Sequence, residues 1–282
     1  MQFGEFQLNI VSGGRFRIDG GTIFGVVPKV LWQRRCKPDS YNRVELETNC
    51  LLIQTGQHNI LIDTGVGTKL NEKQKQQYGI DKLVSVDENL RAFGLQREDI
   101  DLVIFTHLHF DHVGGATSQD DYNDFMLTFP NAEHIIQRVE WETALSNDFV
   151  LRGAYPVSEI EALESLGNIR LIDGDVEIAP GIHARITSGH TAAHQSIIIE
   201  SGSQTAIYLG DICPSTWHLQ TMWCLAYDVN LLETRREKYR LLNEIAQQGW
   251  MAIFAHDPYI TAAQLQPNSR RDFVCVEPTI EL

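Results

Sequence analysis

The sequence predicts an α/β fold: two β-sheets packed together with helices on their outer sides, in one domain. Three observations carry this. Short, almost wholly apolar runs of strand length recur along the chain, as buried strands require. Helix-length stretches alternate with them; residues 231–249 place apolar side chains near helical spacing and Lys and Arg on the wet face. No repeat, low-complexity tract or linker interrupts the 282 residues, so the expected domain is 1–282.

The elements follow in order. Residues 50–56 and 59–65 are apolar runs punctuated by glycine and predict a hairpin buried on both faces. Residues 87–95 predict a helix with Asp87 as N-cap. Residues 101–107 predict a buried strand that runs straight into a histidine-rich loop, where Gly114 and Gly115 permit a turn. A strand is expected at 132–137 and a helix at 138–146. Four strand-like runs come next, at 169–173, 182–187, 195–201 and 205–211. Gly249 stops the helix 231–249, and 250–257 is one more buried strand, ending in a histidine.

Composition narrows the function. Lys plus Arg number 23 and Asp plus Glu 37, a net charge of −14, which repels nucleic acid. The nearest basic runs are 33–35 and the pair Arg270 and Arg271, too small for a nucleic-acid face. Residues 1–14 carry no basic leader before an apolar run, and no stretch approaches the roughly 20 apolar residues of a membrane span. Cys36, Cys50, Cys213, Cys224 and Cys275 are odd in number and lack C-x-x-C spacing, so a reducing cytoplasm is the expected compartment.

Residues 106–112, Thr-His-Leu-His-Phe-Asp-His, concentrate four metal-binding side chains: His107, His109, Asp111 and His112. Packing gains nothing from neighbouring imidazoles, whereas the end of a strand presents them on a rigid base. Later strand-like runs end in His190, Asp211 and His256. Seven such groups exceed the four that one zinc normally takes, and suit two ions sharing Asp211. His58, His134 and His183 stand alone and read as core or surface residues.

The His-Leu-His-Phe-Asp-His run, followed by Gly-His-Thr (189–191), Gly-Asp (210–211) and His-Asp (256–257), resembles the metallo-β-lactamase-fold hydrolases. The resemblance covers nearly the whole chain and implies an αββα sandwich of two mixed sheets flanked by helices, with a metal site along one edge. It implies His107, His109 and His190 for a first metal, and Asp111, His112 and His256 for a second, bridged by Asp211. It also implies Asp63 and His194 as supports behind the ligands. Ala192-Ala193 stands where the family often has Pro-Gly.

Two such metals would hold a bridging hydroxide and polarise the bond it attacks. Zinc is the expected metal, although His and carboxylate ligands also accept iron, manganese or cobalt. Class B β-lactamases usually carry cysteine at the shared position, here Asp211. Glyoxalase II enzymes need a helical C-terminal domain, for which the 26 residues after His256 (282 − 256) leave no room. RNA-processing relatives need basic surfaces. Flavodiiron proteins replace the second His of the cluster by Glu and add a flavin domain.

Segments 20–32, 210–218 and 226–228 resemble the N-acyl-homoserine lactonases and related lactone or organophosphate hydrolases. The expected reaction is opening of a lactone; organophosphate, aryl-ester or thioester hydrolysis is the alternative. A metal-binding sensor or an inactive binding relative is the non-enzyme reading. Many such lactonases carry tyrosine three positions after the bridging aspartate, and here it is Pro214. His218 and Tyr227 are candidates to replace it and join Asp111 among the catalytic groups. Phe24 and Trp32, in the apolar segment 20–32, are candidates for substrate contact, and the same segment is a candidate homodimer contact.

Overall fold

The computed structural model describes residues 1–146, 148–151, 153–270 and 272–279; Arg271 of the basic pair lies outside the described residues. The first sheet starts with β1 (Gln2–Phe3), β2 (Phe6–Asp19), β3 (Arg43–Gln54), β4 (Asn59–Ile62) and β5 (Leu102–Ile104). A separate ribbon follows, β6 (Thr117–Gln119) with β7 (Phe125–Leu127). Then β8 (Glu133–Gln137) and β9 (Asn168–Ile172) complete the first sheet in the order β1-β2-β3-β4-β5-β8-β9. Its strands pair antiparallel as far as β4 and parallel from β4 to β9.

The second sheet keeps chain order: β10 (Val176–Ala179), β11 (Ile182–Ile186), β12 (Gln195–Ser201), β13 (Gln204–Tyr208), β14 (Met251–Ile253), β15 (Ala262–Pro267) and β16 (Phe273–Thr279). Only β13 and β14 pair parallel. Both sheets are therefore mixed.

Alternation along the strands builds three apolar layers. Leu51 and Ile53 of β3, and Ile60 and Ile62 of β4, face a central cluster with Ile197, Ile199 and Tyr208 of the second sheet. Their neighbours Cys50, Leu52 and Leu61 face outwards, since successive side chains point to opposite faces. Eight helices are described: α1 (Gly20–Phe24), α2 (Lys29–Trp32), α3 (Glu72–Gln77), α4 (Val86–Leu90), α5 (Phe110–Val113), α6 (Arg138–Leu145), α7 (Val157–Leu166) and α8 (Leu231–Gln248). Trp141 of α6 and Ile160 and Leu163 of α7 cover the outer face of the first sheet. Leu241, Leu242 and Ile245 of α8 cover Ile207, Leu209 and Phe254 of the second. This is the expected order of helix, sheet, sheet and helix layers.

Some details differ from expectation. The N-cap of the helix at 87–95 is Ser85 rather than Asp87, which lies in the first turn, and α4 gives way to a 3₁₀ turn at Arg91–Phe93. Segment 20–32 forms two helices of 5 and 4 residues, too short to show a period. The helix at 231–249 is α8, opened by Asn230, whose side chain accepts from the Glu233 N–H at 3.2 Å, and closed by Gly249 at φ 68°. Among the described residues no helix is long and apolar enough to cross a membrane.

Candidate metal centre

Strand β5 delivers the chain to Thr106, which is tied down by Asp63 just past β4. The Thr106 N–H and hydroxyl donate to the two Asp63 carboxylate oxygens at 2.8 and 2.9 Å. Asp63 sits at φ 58°, a left-handed conformation that Asp tolerates better than most residues. The glycines of the loop work differently from the expected turn. Gly114 is right-handed at φ −58°. A Cβ would lie 2.3 Å from the Val66 carbonyl oxygen at Gly114, and 2.1 Å from that of Thr64 at Gly115. They are needed because the chain after β4 crosses there in backbone contact.

The seven predicted metal-binding residues gather where the chain leaves β5, β11, β13 and β14, all buried. His107 Nε2 lies 3.0 Å from His109 Nδ1, and His190 Nε2 lies 3.2 and 3.1 Å from those two atoms. A second group faces the first. His112 Nε2 is 3.0 Å from His256 Nε2, and Asp111 Oδ2 is 3.6 Å from His256 Nε2. Asp211 stands between them. Its Oδ2 is 3.3 Å from His190 Nε2, while Oδ1 is 3.0 Å from His256 Nε2 and 3.4 Å from His112 Nε2.

The far sides of these rings fix what the near sides offer. His112 Nδ1 meets Asp63 Oδ2, His190 Nδ1 meets Asp228 Oδ1, and His256 Nδ1 meets the Glu47 carbonyl oxygen, each at 2.8 Å. Those partners are acceptors, so each Nδ1 donates and, in the neutral ring, each Nε2 presents a lone pair. Lone pairs about 3 Å apart repel unless a cation lies between them. Asp211 Oδ1 is buried and, among the described residues, has no hydrogen-bond partner. Such a donor set of nitrogen and carboxylate oxygen fits divalent metal. Burial, then the neighbouring imidazoles, hold His107 and His109 well below the ordinary histidine pKa. For Asp211 burial alone would raise the pKa, but His256, His112 and His190 in their protonated forms outweigh it and hold it well below the usual range; divalent metal would take the place of those protons.

His194 supports this geometry from behind. Its Nε2 accepts from the Asp211 N–H at 2.9 Å and its Nδ1 meets the Thr187 hydroxyl at 2.8 Å. Burial pushes its pKa down to about 3, leaving it neutral. Gly210 makes room for that bond; it has φ 56°, and a Cβ there would lie 2.6 Å from His194 Nε2.

Two supporting residues escaped sequence reasoning. Asp228, behind His190, is 38 positions away from it and looks like any loop carboxylate. Glu140, in α6, reads as a helix surface residue yet is buried. It accepts from the Leu108 N–H at 3.1 Å, the Thr191 hydroxyl at 2.6 Å and the Tyr155 hydroxyl at 3.1 Å. It thus ties the His107–His109 turn to the His190 turn. The resemblance of segment 226–228 to the lactonases gives Asp228 no role behind His190, and nothing local marks Glu140.

The remaining candidates separate. Tyr227 lies over the cluster, its ring 5.5 Å from that of His190 and 6.2 Å from that of His109, and it is 37% exposed. Partial desolvation of its hydroxyl, then Asp211, Asp111 and Asp228, hold its phenol well above its ordinary pKa, so it carries its proton. His218 is elsewhere employed. It is 1% exposed, its Nε2 donates to the Ile23 carbonyl at 3.0 Å and its Nδ1 meets the Ser215 hydroxyl at 2.8 Å. Both ring nitrogens are committed to the protein, so it has no free donor for a substrate. Phe24 and Trp32 are likewise buried rather than displayed. Phe24 stacks on Trp32 at 5.0 Å and on His218 at 5.6 Å, because the two short helices fold their aromatic residues inwards.

Comparison with known proteins agrees with this architecture. Residues 43–216 match the model of the metallo-beta-lactamase superfamily, and the chain belongs to that superfamily. An N-acyl homoserine lactonase of Bacillus cereus is 29% identical over 181 residues, covering 60% of this chain and 64% of the relative. The match therefore spans somewhat under two thirds of that relative's length. Among solved structures, a probable metal-dependent hydrolase from Staphylococcus aureus superposes with a TM-score of 0.88 at 31% identity, covering 99% of this chain and 100% of that one. AidC, a dizinc quorum-quenching lactonase, shares the fold with a TM-score of 0.81 at 20% identity, over 98% of this chain and 95% of its own.

Proposed function

We propose that the chain, as one domain over 1–282, is a metal-dependent hydrolase that opens a lactone ring, an N-acyl-homoserine lactone or a related one, using two divalent ions, zinc first among them. The observation that carries this is the placing of two sets of imidazole lone pairs on the two oxygens of Asp211. In this reading His107, His109 and His190 hold one ion, Asp111, His112 and His256 the other, and Asp211 both. Asp63, Asp228 and His194 keep the donor atoms aimed. Such a pair of ions supplies a nucleophile from water at neutral pH and polarises the ester carbonyl.

Tyr227 provides what the chain itself can add: a protonated phenol above the cluster, able to donate to the carbonyl oxygen or the leaving alkoxide. It takes the place considered for His218, which instead supports Phe24 and Ile23. Tyr227→Phe should leave metal content unchanged and lower kcat/KM roughly 10²-fold, the low end for loss of a general acid. Unchanged kinetics would remove Tyr227 from the reaction.

Lactone is supported by the lactonases among the relatives, and β-lactam is disfavoured by Asp211 where β-lactamases usually carry cysteine. The net charge of −14 favours a small uncharged substrate over nucleic acid, and five free cysteines fit the reducing cytoplasm. Segment 20–32 turns Val26, Val30 and Leu31 outwards, a surface suited to a second copy of the chain; Val30→Glu should then lower the mass seen by light scattering.

The test is a panel of lactones, a glutathione thioester, a phosphotriester and a β-lactam, given to the metal-loaded protein. Lactones should show the highest kcat/KM. A win for another substrate overturns the lactone reading, and metal-loaded protein inert to all of them overturns the hydrolase reading.

A further inference from the structure

Away from the metal centre, a lysine and a cysteine meet in the interior. Lys238, on the buried face of α8, is 1% exposed, and Cys224 is 4% exposed. Lys238 Nζ lies 3.5 Å from Cys224 Sγ. The same Nζ donates to the Gln220 carbonyl at 3.4 Å and to the Trp223 carbonyl. The amine is thus held against the sulfur by two fixed carbonyls. Cys224 also lines a surface cavity of about 150 Å³, together with Gly25, Val26, Met222 and Leu231. The cavity brings solvent up to Cys224, whose Sγ donates to the Thr221 carbonyl at 3.7 Å and has the Lys238 amine beside it.

The geometry points to a redox modification site: an oxygen-bridged link, Nζ–O–Sγ, between Lys238 and Cys224, formed by peroxide. Each step balances for the uncharged amine and thiol. One peroxide converts the thiol to a sulfenic acid; the S–O bond forms, the O–O bond breaks and water leaves. A second converts the amine to a hydroxylamine in the same way. The hydroxylamine oxygen then attacks the sulfenic sulfur, whose hydroxyl departs as water with the hydroxylamine proton. In sum, amine, thiol and two peroxides give the bridge and three waters. Nitrogen and sulfur each lose two electrons, and the two peroxides accept all four.

The link has a structural consequence. It fastens the segment 220–228 to α8, and that segment carries Tyr227 and Asp228, the residue 2.8 Å from His190. Oxidation would be recorded next to the metal centre without touching a residue that faces it. The modification itself does not depend on which substrate the site takes.

The experiment treats the full metal-loaded chain with hydrogen peroxide, caps free thiols, and reads intact mass and digested peptides. The expected product gains one oxygen and loses two hydrogens, and its Cys224 and Lys238 peptides are joined. Dithiothreitol should part them, and Cys224→Ser and Lys238→Arg should each abolish the link. Cys224→Ser is nearly the same size and decides the matter if Lys238→Arg does not fold. Cys224 found only as thiol or as sulfinic or sulfonic acid, with Lys238 unchanged, overturns the proposal.

Discussion

Asp63 and Asp228 do the same work for two different imidazoles: each carboxylate accepts from Nδ1 and leaves Nε2 as a lone pair. Such partners typically change metal affinity by roughly 10–100-fold when removed. Asp228→Ala should weaken metal binding by about that factor while the fold survives. Titration against a chelator checks it, and unchanged affinity would reduce Asp228 to a loop residue. His218 makes a different prediction. Burial, then Lys238, push its pKa from its ordinary 6.5 to about 3. Between those values the unfolded chain binds a proton that the folded chain refuses. The stability from keeping it neutral is complete above pH 6.5 and is lost as pH falls towards 3, by at most about 1.4 kcal/mol per pH unit. His218→Gln should therefore flatten the acid limb of a Tm-against-pH curve. Parallel limbs for the two proteins would contradict this account.

Elements matter here for the backbone they bring close. The loop after β5 can hold its histidines only because Gly115 and Gly114 let the chain after β4 cross in contact. Gly210 plays the same part after β13, with a positive φ and His194 against its Cα. Gly210→Ala incurs both the left-handed cost and a clash with the ring that holds the Asp211 N–H. It should lower metal content more than stability, whereas Gly249→Ala, which meets nothing within 4 Å, should cost about 1 kcal/mol and leave metal content alone. Metal content and chemical denaturation of the two variants separate these outcomes; equal loss of metal in both would contradict the role given to Gly210.

At the scale of the molecule, legibility followed locality. Strands β4, β12 and β13 showed in the sequence because each is a short apolar run ended by polar or glycine residues. The gathering of His107, His109, Asp111 and His112 was legible because four binding side chains fall within six positions. Longer-range features were not. Strand β2 is 14 residues long, but its alternation breaks between Ser12 and Arg15, where the pairing with β3 shifts register. In α7 only Ile160 and Leu163 are buried, too few to set a helical period. Phe24 and Trp32 read as candidates for substrate contact because nothing local reveals that Phe24 will stack on His218, 194 positions later. Glu140 joins residues 32 and 51 positions away, which only the folded sheets bring together.

The central claim is a two-ion centre bridged by Asp211. The most direct measurement is the metal-to-chain ratio by elemental mass analysis, after loading and removal of loose ions, for the wild type and Asp211→Ala. The account predicts two ions per chain in the wild type and a clear loss in Asp211→Ala, since both positions lose a donor. A wild type that holds only one ion, or an Asp211→Ala variant that keeps two tightly, would contradict it.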